Sequence, residues 1–214
     1  MCYDSDRKVI VLFGGRDAVV NRLADTWEYD GKTWKEISPV VSPSAREDHL
    51  MVYDSVRKVT VLFGGMMQRD TWTWDGVVWA KIRIPPTQKP SARSSFSMAF
   101  DEARGKTVLF GGYDVSKGLV DDTWEFDGLV WTEVRSATTT PLPRRDHGMA
   151  YDSVRQRIVM FGGTGKTRQL GDTWEWDGNV WTEVTSKSPT PAPRALDRGG
   201  LAYDANRRRV VMYA

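Results

Sequence analysis

The string V-[LM]-F-G-G returns four times along this chain, with its phenylalanines at Phe13, Phe63, Phe110 and Phe161. Successive copies lie about 50 residues apart, a period that points to an array of like units and not to one irregular core. A second string, D-T-W-x-[YWF]-D-G-x-x-W, follows each copy and starts at Asp25, Asp70, Asp122 and Asp172. An aromatic-Asp step precedes each Gly pair, as Tyr3-Asp4, Tyr53-Asp54, Phe100-Asp101 and Tyr151-Asp152. It returns at Tyr203-Asp204, with Tyr213 in the place of the Phe and Ala214 where the first Gly is due, so the sequence stops inside a fifth repeat.

Each unit reads as strands. Arg57 to Phe63 is rich in β-branched and aromatic residues and stops at Gly64-Gly65, which predicts a strand ended by a turn. Thr71 to Trp74 runs into Asp75-Gly76, and Asp-Gly between two runs of β-formers is a strong hairpin signal because Gly accepts positive φ. Val77 to Ile82 supplies the next strand, and Ser95 to Phe100 is the innermost strand of the neighbouring unit. No stretch carries a helical stripe, so the chain is expected to be all-β. All ten tryptophans fall inside the D-T-W…W string: one opens and one closes it in every unit, and Trp74 and Trp176 take the middle slot that Tyr29 and Phe126 fill elsewhere. That recurrence favours packing between units over a sugar-stacking platform, since aromatics of this size dominate core burial.

The unit resembles the kelch repeat over the whole chain, through its Gly pair, the aromatic several residues later and the Trp after a turn. D-T-W-E-[WYF]-D-G is a phrasing of the bacterial form. The resemblance implies a kelch-type β-propeller of four-stranded antiparallel blades, about four blades plus part of a fifth. The repeats divide near residues 1–39, 40–86, 87–137, 138–187 and 188–214 within a single domain of 214 residues. Neither a four-blade nor a five-blade ring closes cleanly on these strands. The chain is therefore expected to be a segment of a longer propeller of about six or seven blades, whose open blade edges would invite self-association.

A repeat supplies its own internal control: positions that recur in every unit build the blade, and positions that differ are free to carry function. Two loop sets differ. One follows the Gly pairs: Arg16 to Ala24, Met66 to Arg69, Tyr113 to Asp121 and Thr164 to Gly171. The other links the repeats: Ser38 to Ala45, Pro85 to Ala92, Ser136 to Pro143 and Ser186 to Pro193. In kelch propellers both sets open on one face where partners dock, as variable loops on a rigid scaffold commonly do. Candidate partner contacts are Tyr113 with Asp114 beside it, Met66, Met67, Arg69 and Arg16, and the polar, basic tip Lys166, Arg168 and Gln169. Tyr113 reads equally as a turn residue, and the two methionines equally as packing against the adjacent blade.

Four arginines, Arg46, Arg93, Arg144 and Arg194, open the innermost strands. The resemblance places such arginines at the channel mouth, where guanidinium would grip acidic partners through two-pronged bonds. Their recurrence favours the other reading, salt bridges between blades.

Composition narrows the remaining classes. Lys+Arg number 30 against 28 Asp+Glu, so nothing demands a nucleic acid partner. One cysteine, Cys2, and two histidines, His49 and His147, cannot build a multi-cysteine or histidine metal centre. The terminus has no apolar signal segment, and no apolar run approaches the length of a membrane helix. Gly162 to Thr167 mimics a phosphate loop but lacks its first Gly and the following helix. A galactose oxidase-like radical site would need a Cys–Tyr cross-link and two His ligands, and His49 and His147 instead occupy equivalent repeat slots, with Phe96 in a third. The Asp-Gly pairs are not spaced as sialidase Asp-boxes, and no acid–base pair stands out. The reading is a non-enzymatic module, with no cofactor or metal, that binds a protein or a glycan through its variable loops. The alternative is a propeller lobe of a larger secreted enzyme whose catalytic residues lie elsewhere.

Overall fold

The computed structural model describes residues 1–65, 67–185 and 200–213. Apart from one 3-10 turn at Pro86–Gln88, its regular structure is entirely β. Each repeat is an antiparallel meander in which strand order in the sheet equals order in the chain. The first blade runs Cys2–Asp4, Val9–Arg16, Arg22–Tyr29 and Trp34–Ile37. The second is His49–Asp54, Val59–Gly64, Thr71–Trp74 and Trp79–Ile82, and the third Ser97–Asp101, Lys106–Phe110, Thr123–Phe126 and Trp131–Val134. The fourth is Gly148–Asp152, Arg157–Phe161, Thr173–Trp176 and Trp181–Glu183, followed by a fifth-unit hairpin, Gly200–Asp204 with Arg209–Tyr213. These are the blades of a β-propeller. The inner strands of all five units line one central channel, with Tyr3, Tyr53, Phe100, Tyr151 and Tyr203 around one part of it.

The recurring residues have recurring jobs. Asp54 is buried at the end of its inner strand and accepts the backbone N–H groups of Val56 (3.1 Å) and Arg57 (2.9 Å), which bends the chain into the next strand. Asp4 and Asp152 do the same in their blades. In the outer hairpins the aspartate of Asp-Gly takes over: Asp75 accepts from Val77 and Val78, both at 2.8 Å. Gly76 has φ +99°, and a β-carbon there would lie 2.7 Å from the Arg7 guanidinium of the preceding blade, so both conformation and space ask for glycine.

The core lies between blades. One cluster joins Val11 and Phe13 of the first blade to Met51, Leu62, Trp72, Trp74 and Trp79 of the second. Equivalent clusters join the second blade to the third and the third to the fourth. At each boundary the Phe of the Gly-pair strand meets the closing Trp of the next blade: Phe13–Trp79 at 5.2 Å, Phe63–Trp131 at 5.1 Å and Phe110–Trp181 at 5.2 Å between ring centroids. Those three indoles each donate to a buried threonine of the preceding blade, Trp79 to Thr26 (3.0 Å), Trp131 to Thr71 (2.9 Å) and Trp181 to Thr123 (3.0 Å). A ring that large gains most by burial, and the hydroxyl removes the cost of burying its N–H.

Packing between blades therefore accounts for the closing tryptophans, with one exception. Trp34 is 46 % exposed where its counterparts Trp79, Trp131 and Trp181 are 1–2 % exposed. It lies on the face of the first blade against which no other blade is described. Among the described residues, no ring from a neighbouring blade and no threonine hydroxyl stands against its indole, which packs on Tyr29 of its own blade.

Candidate functional site

The strand-opening arginines are internal struts. The side chains of Arg46, Arg93 and Arg144 are 0–1 % exposed. Arg46 holds Asp70 with Nη1 at 2.7 Å and Nη2 at 3.3 Å, and also donates to the carbonyls of Gly64 (2.9 Å) and Ser44 (3.0 Å). Arg93 grips Asp122 and the Gly111 carbonyl, and Arg144 grips Asp172 and the Gly162 carbonyl, in the same geometry. Each of these aspartates is the first residue of a D-T-W string, and it also accepts the N–H of the Trp two residues on. The salt bridge thus stays inside one blade and is not the inter-blade bridge expected from recurrence. What crosses the boundary is the backbone: the Arg46 carbonyl accepts from Gly15 (2.9 Å), and its N–H donates to Leu23 (3.0 Å), both in the first blade. Burial alone would raise the Asp70 carboxyl, but Arg46, Trp72 and Lys81 outweigh it and hold its pKa at about 2.

The remaining candidates are scattered over the loop face. Arg16 pairs with Glu47 at 3.3 Å, and Arg69 donates to the Pro86 carbonyl, so both pin loops. Met67 is 73 % exposed. Met66, Arg194 and residues 186–193 lie outside the described residues.

Tyr113, Lys166 and Arg168 are brought together. The segment after the third Gly pair is a small ribbon, with Tyr113–Asp114 pairing Gly118–Leu119 on one side and Arg93–Ser94 on the other. Asp114 is buried and builds it, accepting from Ser116 N–H (2.7 Å), Ser116 hydroxyl (2.7 Å) and Lys117 N–H (3.0 Å). Although burial opposes ionisation, these bonds and one from Ser91 hold the Asp114 carboxyl well below the ordinary carboxylate range. Tyr113 projects from the ribbon, 46 % exposed. In the fourth blade, Thr164 bridges Gln169 and Arg145, and the Gly165 N–H donates to the Arg168 carbonyl (2.9 Å), closing a tight turn with Lys166 at its tip.

Between the ribbon and this turn lies a groove of about 610 Å³. Leu119, Leu142, Pro143 and Leu170 give it an apolar lining, with Tyr113 beside them. Lys117, Lys166 and Arg168 stand exposed around it, and the lining contains no Asp or Glu. Lys117 and the four apolar residues were not singled out from sequence. Leu142 had a signal: Ser44 and Ser91 fill its place in the earlier units, and there their hydroxyls accept from Arg46 and Arg93. Arg144 keeps only the contact that all three arginines make, to the carbonyl of the residue two before it (Leu142, 3.0 Å), so the leucine side chain is free of the strut and 56 % exposed.

The histidines are repeat residues. His147 stacks edge-on to Phe110 at 5.6 Å and His49 to Phe13 at 5.7 Å, as Phe96 does to Phe63 at 5.7 Å. Burial pushes His49 down to about 4 and His147 to about 3, so both are neutral at physiological pH. Among the described residues no group of three His, Cys, Asp or Glu side chains is placed to hold a metal ion.

Residues 73–212 match a family model described as the KLHDC2/KLHL20/DRC7 Kelch-repeats domain. A comparison with curated proteins finds no match.

Proposed function

Because the chain belongs to the kelch-repeat family, whose domains are generally protein-binding scaffolds, we propose that it is a non-enzymatic module holding a protein partner in the groove between its third and fourth blades. The observation that carries this reading is a departure from the repeat. Where every blade shares a residue, that residue is spent on struts, turns or inter-blade packing. Around the groove the chain instead exposes side chains its own repeats do not share, Tyr113 and Leu142 foremost. Exposed aromatic and aliphatic side chains beside buried apolar ones are what an interface centre needs, and a charged rim fits around it.

The test is selection of displayed random peptides on the 214-residue chain, followed by binding assays on Tyr113→Ala, Leu142→Ser and Met67→Ser variants. Loss of binding in the first two with retention in the third supports the groove. Peptides whose binding ignores both groove substitutions would overturn it.

A further inference from the structure

We infer that the groove's partner is an extended acidic segment anchored by one bulky apolar side chain; this rests on the groove reading above. Three observations select that chemistry. The groove's charge is one-sided: Lys117, Lys166 and Arg168 line it with no acidic residue among the lining. None of the three makes an ion pair among the described residues, in contrast to Arg16, which is matched with Glu47 nearby on the same loop face. The adjacent concavity between the second and third blades is of the opposite kind: its cations Arg69, Lys89, Arg93 and Lys117, the last standing on the rim of both, share it with Asp121, Asp122 and Glu133, whereas Lys166 and Arg168 border the groove alone. Charge compensation inside one concavity and its absence from the next points to an anion supplied from outside.

The apolar part fixes the second requirement. Leu170 is 3 % exposed and forms a floor, whereas Leu142 is 56 % exposed and Tyr113 46 % exposed, so a wall of apolar surface remains open to water. An aliphatic or aromatic side chain seated between Tyr113 and Leu142 would cover that surface. A small inorganic anion would not.

The third observation concerns the backbone. Gly118–Leu119 is the edge strand of the three-stranded ribbon, and both residues line the groove. An edge strand offers unpaired N–H and C=O groups to an incoming extended chain. The rim cations stand around that edge, where side chains of an added strand would pass.

The experiment is peptide selection with the unmodified chain and with a Lys166→Glu/Arg168→Glu variant, scored by sequence, with groove occupancy assigned by competition in the Leu142→Ser variant. Expected are sequences with Asp or Glu on both sides of a Leu, Ile or Phe. The charge-reversed variant should lose these about tenfold or more and select Lys and Arg in their place. A labelled acidic peptide with the anchor changed to Ser should also bind at least about tenfold more weakly. Groove-bound sequences without acidic enrichment, or a selection that charge reversal leaves unchanged, would overturn this inference and leave the groove reading standing. Polyglutamate or an anionic oligosaccharide binding as well as the anchored peptide would overturn the protein-segment assignment. Selected peptides that ignore Leu142→Ser would remove the groove reading itself.

Discussion

The Trp74 indole N–H donates to Glu28 at 3.0 Å across the boundary between the first two blades, and the pair is kept or lost together from blade to blade. Trp176 makes the same bond to Glu125 at 3.2 Å. At the boundary between them the string reads Thr71-Trp72-Thr73-Trp74, and the next blade answers with Phe126, which has no N–H to satisfy. The glutamates also tie down an arginine of their own blade, Arg7 to Glu28 and Arg104 to Glu125, both at 2.6 Å. With Thr73 in the glutamate's place, Arg57 turns instead to the Gly105 carbonyl at 3.0 Å. Two positions about 50 residues apart therefore behave as one unit.

That coupling is measurable. Glu28→Thr alone strands a buried indole N–H, and a double-mutant cycle of Glu28→Thr with Trp74→Phe should return a coupling of about 1–3 kcal/mol in urea unfolding. Introducing Thr73→Glu with Phe126→Trp should be less damaging than the sum of its single substitutions. A cycle that closes near zero would show that the two residues are merely neighbours.

The buried struts should be costlier to break than any surface pair. Arg144→Met removes the partner of Asp172 and an N–H donor to the Gly162 carbonyl, so the chain should lose about 3–5 kcal/mol. Loss of an exposed pair such as Arg135 with Glu133 should cost no more than about 1 kcal/mol. Chemical denaturation of the two variants side by side gives the comparison. Equal, small losses would mean that the strut adds nothing to stability.

The pH dependence of stability has a named source. A histidine whose folded pKa lies below its unfolded value takes up protons on unfolding, so stability is full above about 6.5 and falls as pH drops toward the folded value. For His147, held near 3, this amounts to about 2 kcal/mol lost on going from pH 7 to pH 5. His147→Phe places in the fourth blade the residue that Phe96 already is in the third, against the same ring geometry. It should leave stability at pH 7 little changed and remove about half of the fall between pH 6.5 and 5, because His49, held near 4, keeps its own share. Asp70 acts in a lower window: its carboxyl is held near 2, so its contribution persists to about pH 4 and is lost as pH falls through 2.

How much of this was legible beforehand divides by range. The blades were legible because their signals are local: β-rich runs, Asp-Gly turns and Gly pairs sit next to the strands they bound. The pairing of Arg46 with Asp70 was not, since nothing in the spacing says that the loop after Gly64-Gly65 carries Asp70 back over the guanidinium. Recurrence pointed to structure but could not tell a bridge within a blade from one across blades. The groove was half legible. Tyr113, Lys166 and Arg168 stood out as departures in variable loops, while Lys117 and Leu119 became neighbours of the fourth blade only through the ribbon that Asp114 folds. Leu142 was readable in principle as the one bulky residue in a slot that Ser44 and Ser91 fill elsewhere.

The exposure of Trp34 was beyond any single-repeat argument, because burial there is decided by the neighbouring blade. The first blade keeps the local geometry: Tyr29 and Trp34 stack at 5.1 Å, as Trp74 and Trp79 do at 5.3 Å. Yet Gly31, the counterpart of Gly76, has nothing within 4 Å of where a β-carbon would stand, while Gly76 presses on Arg7. Trp34 is therefore the most water-accessible of the chain's ten tryptophans. Iodide should quench its emission in preference to the others, and Trp34→Phe should remove most of the quenchable fraction and shift the spectrum of the folded chain to the blue. Trp79→Phe serves as the contrast, since it deletes an indole that is 2 % exposed and should leave the quenchable fraction unchanged. If Trp34→Phe alters neither quenching nor emission maximum, that face of the first blade is covered in solution. A partner or a second copy of the chain would then be seated on it, and the same measurement across a dilution series would tell the two apart.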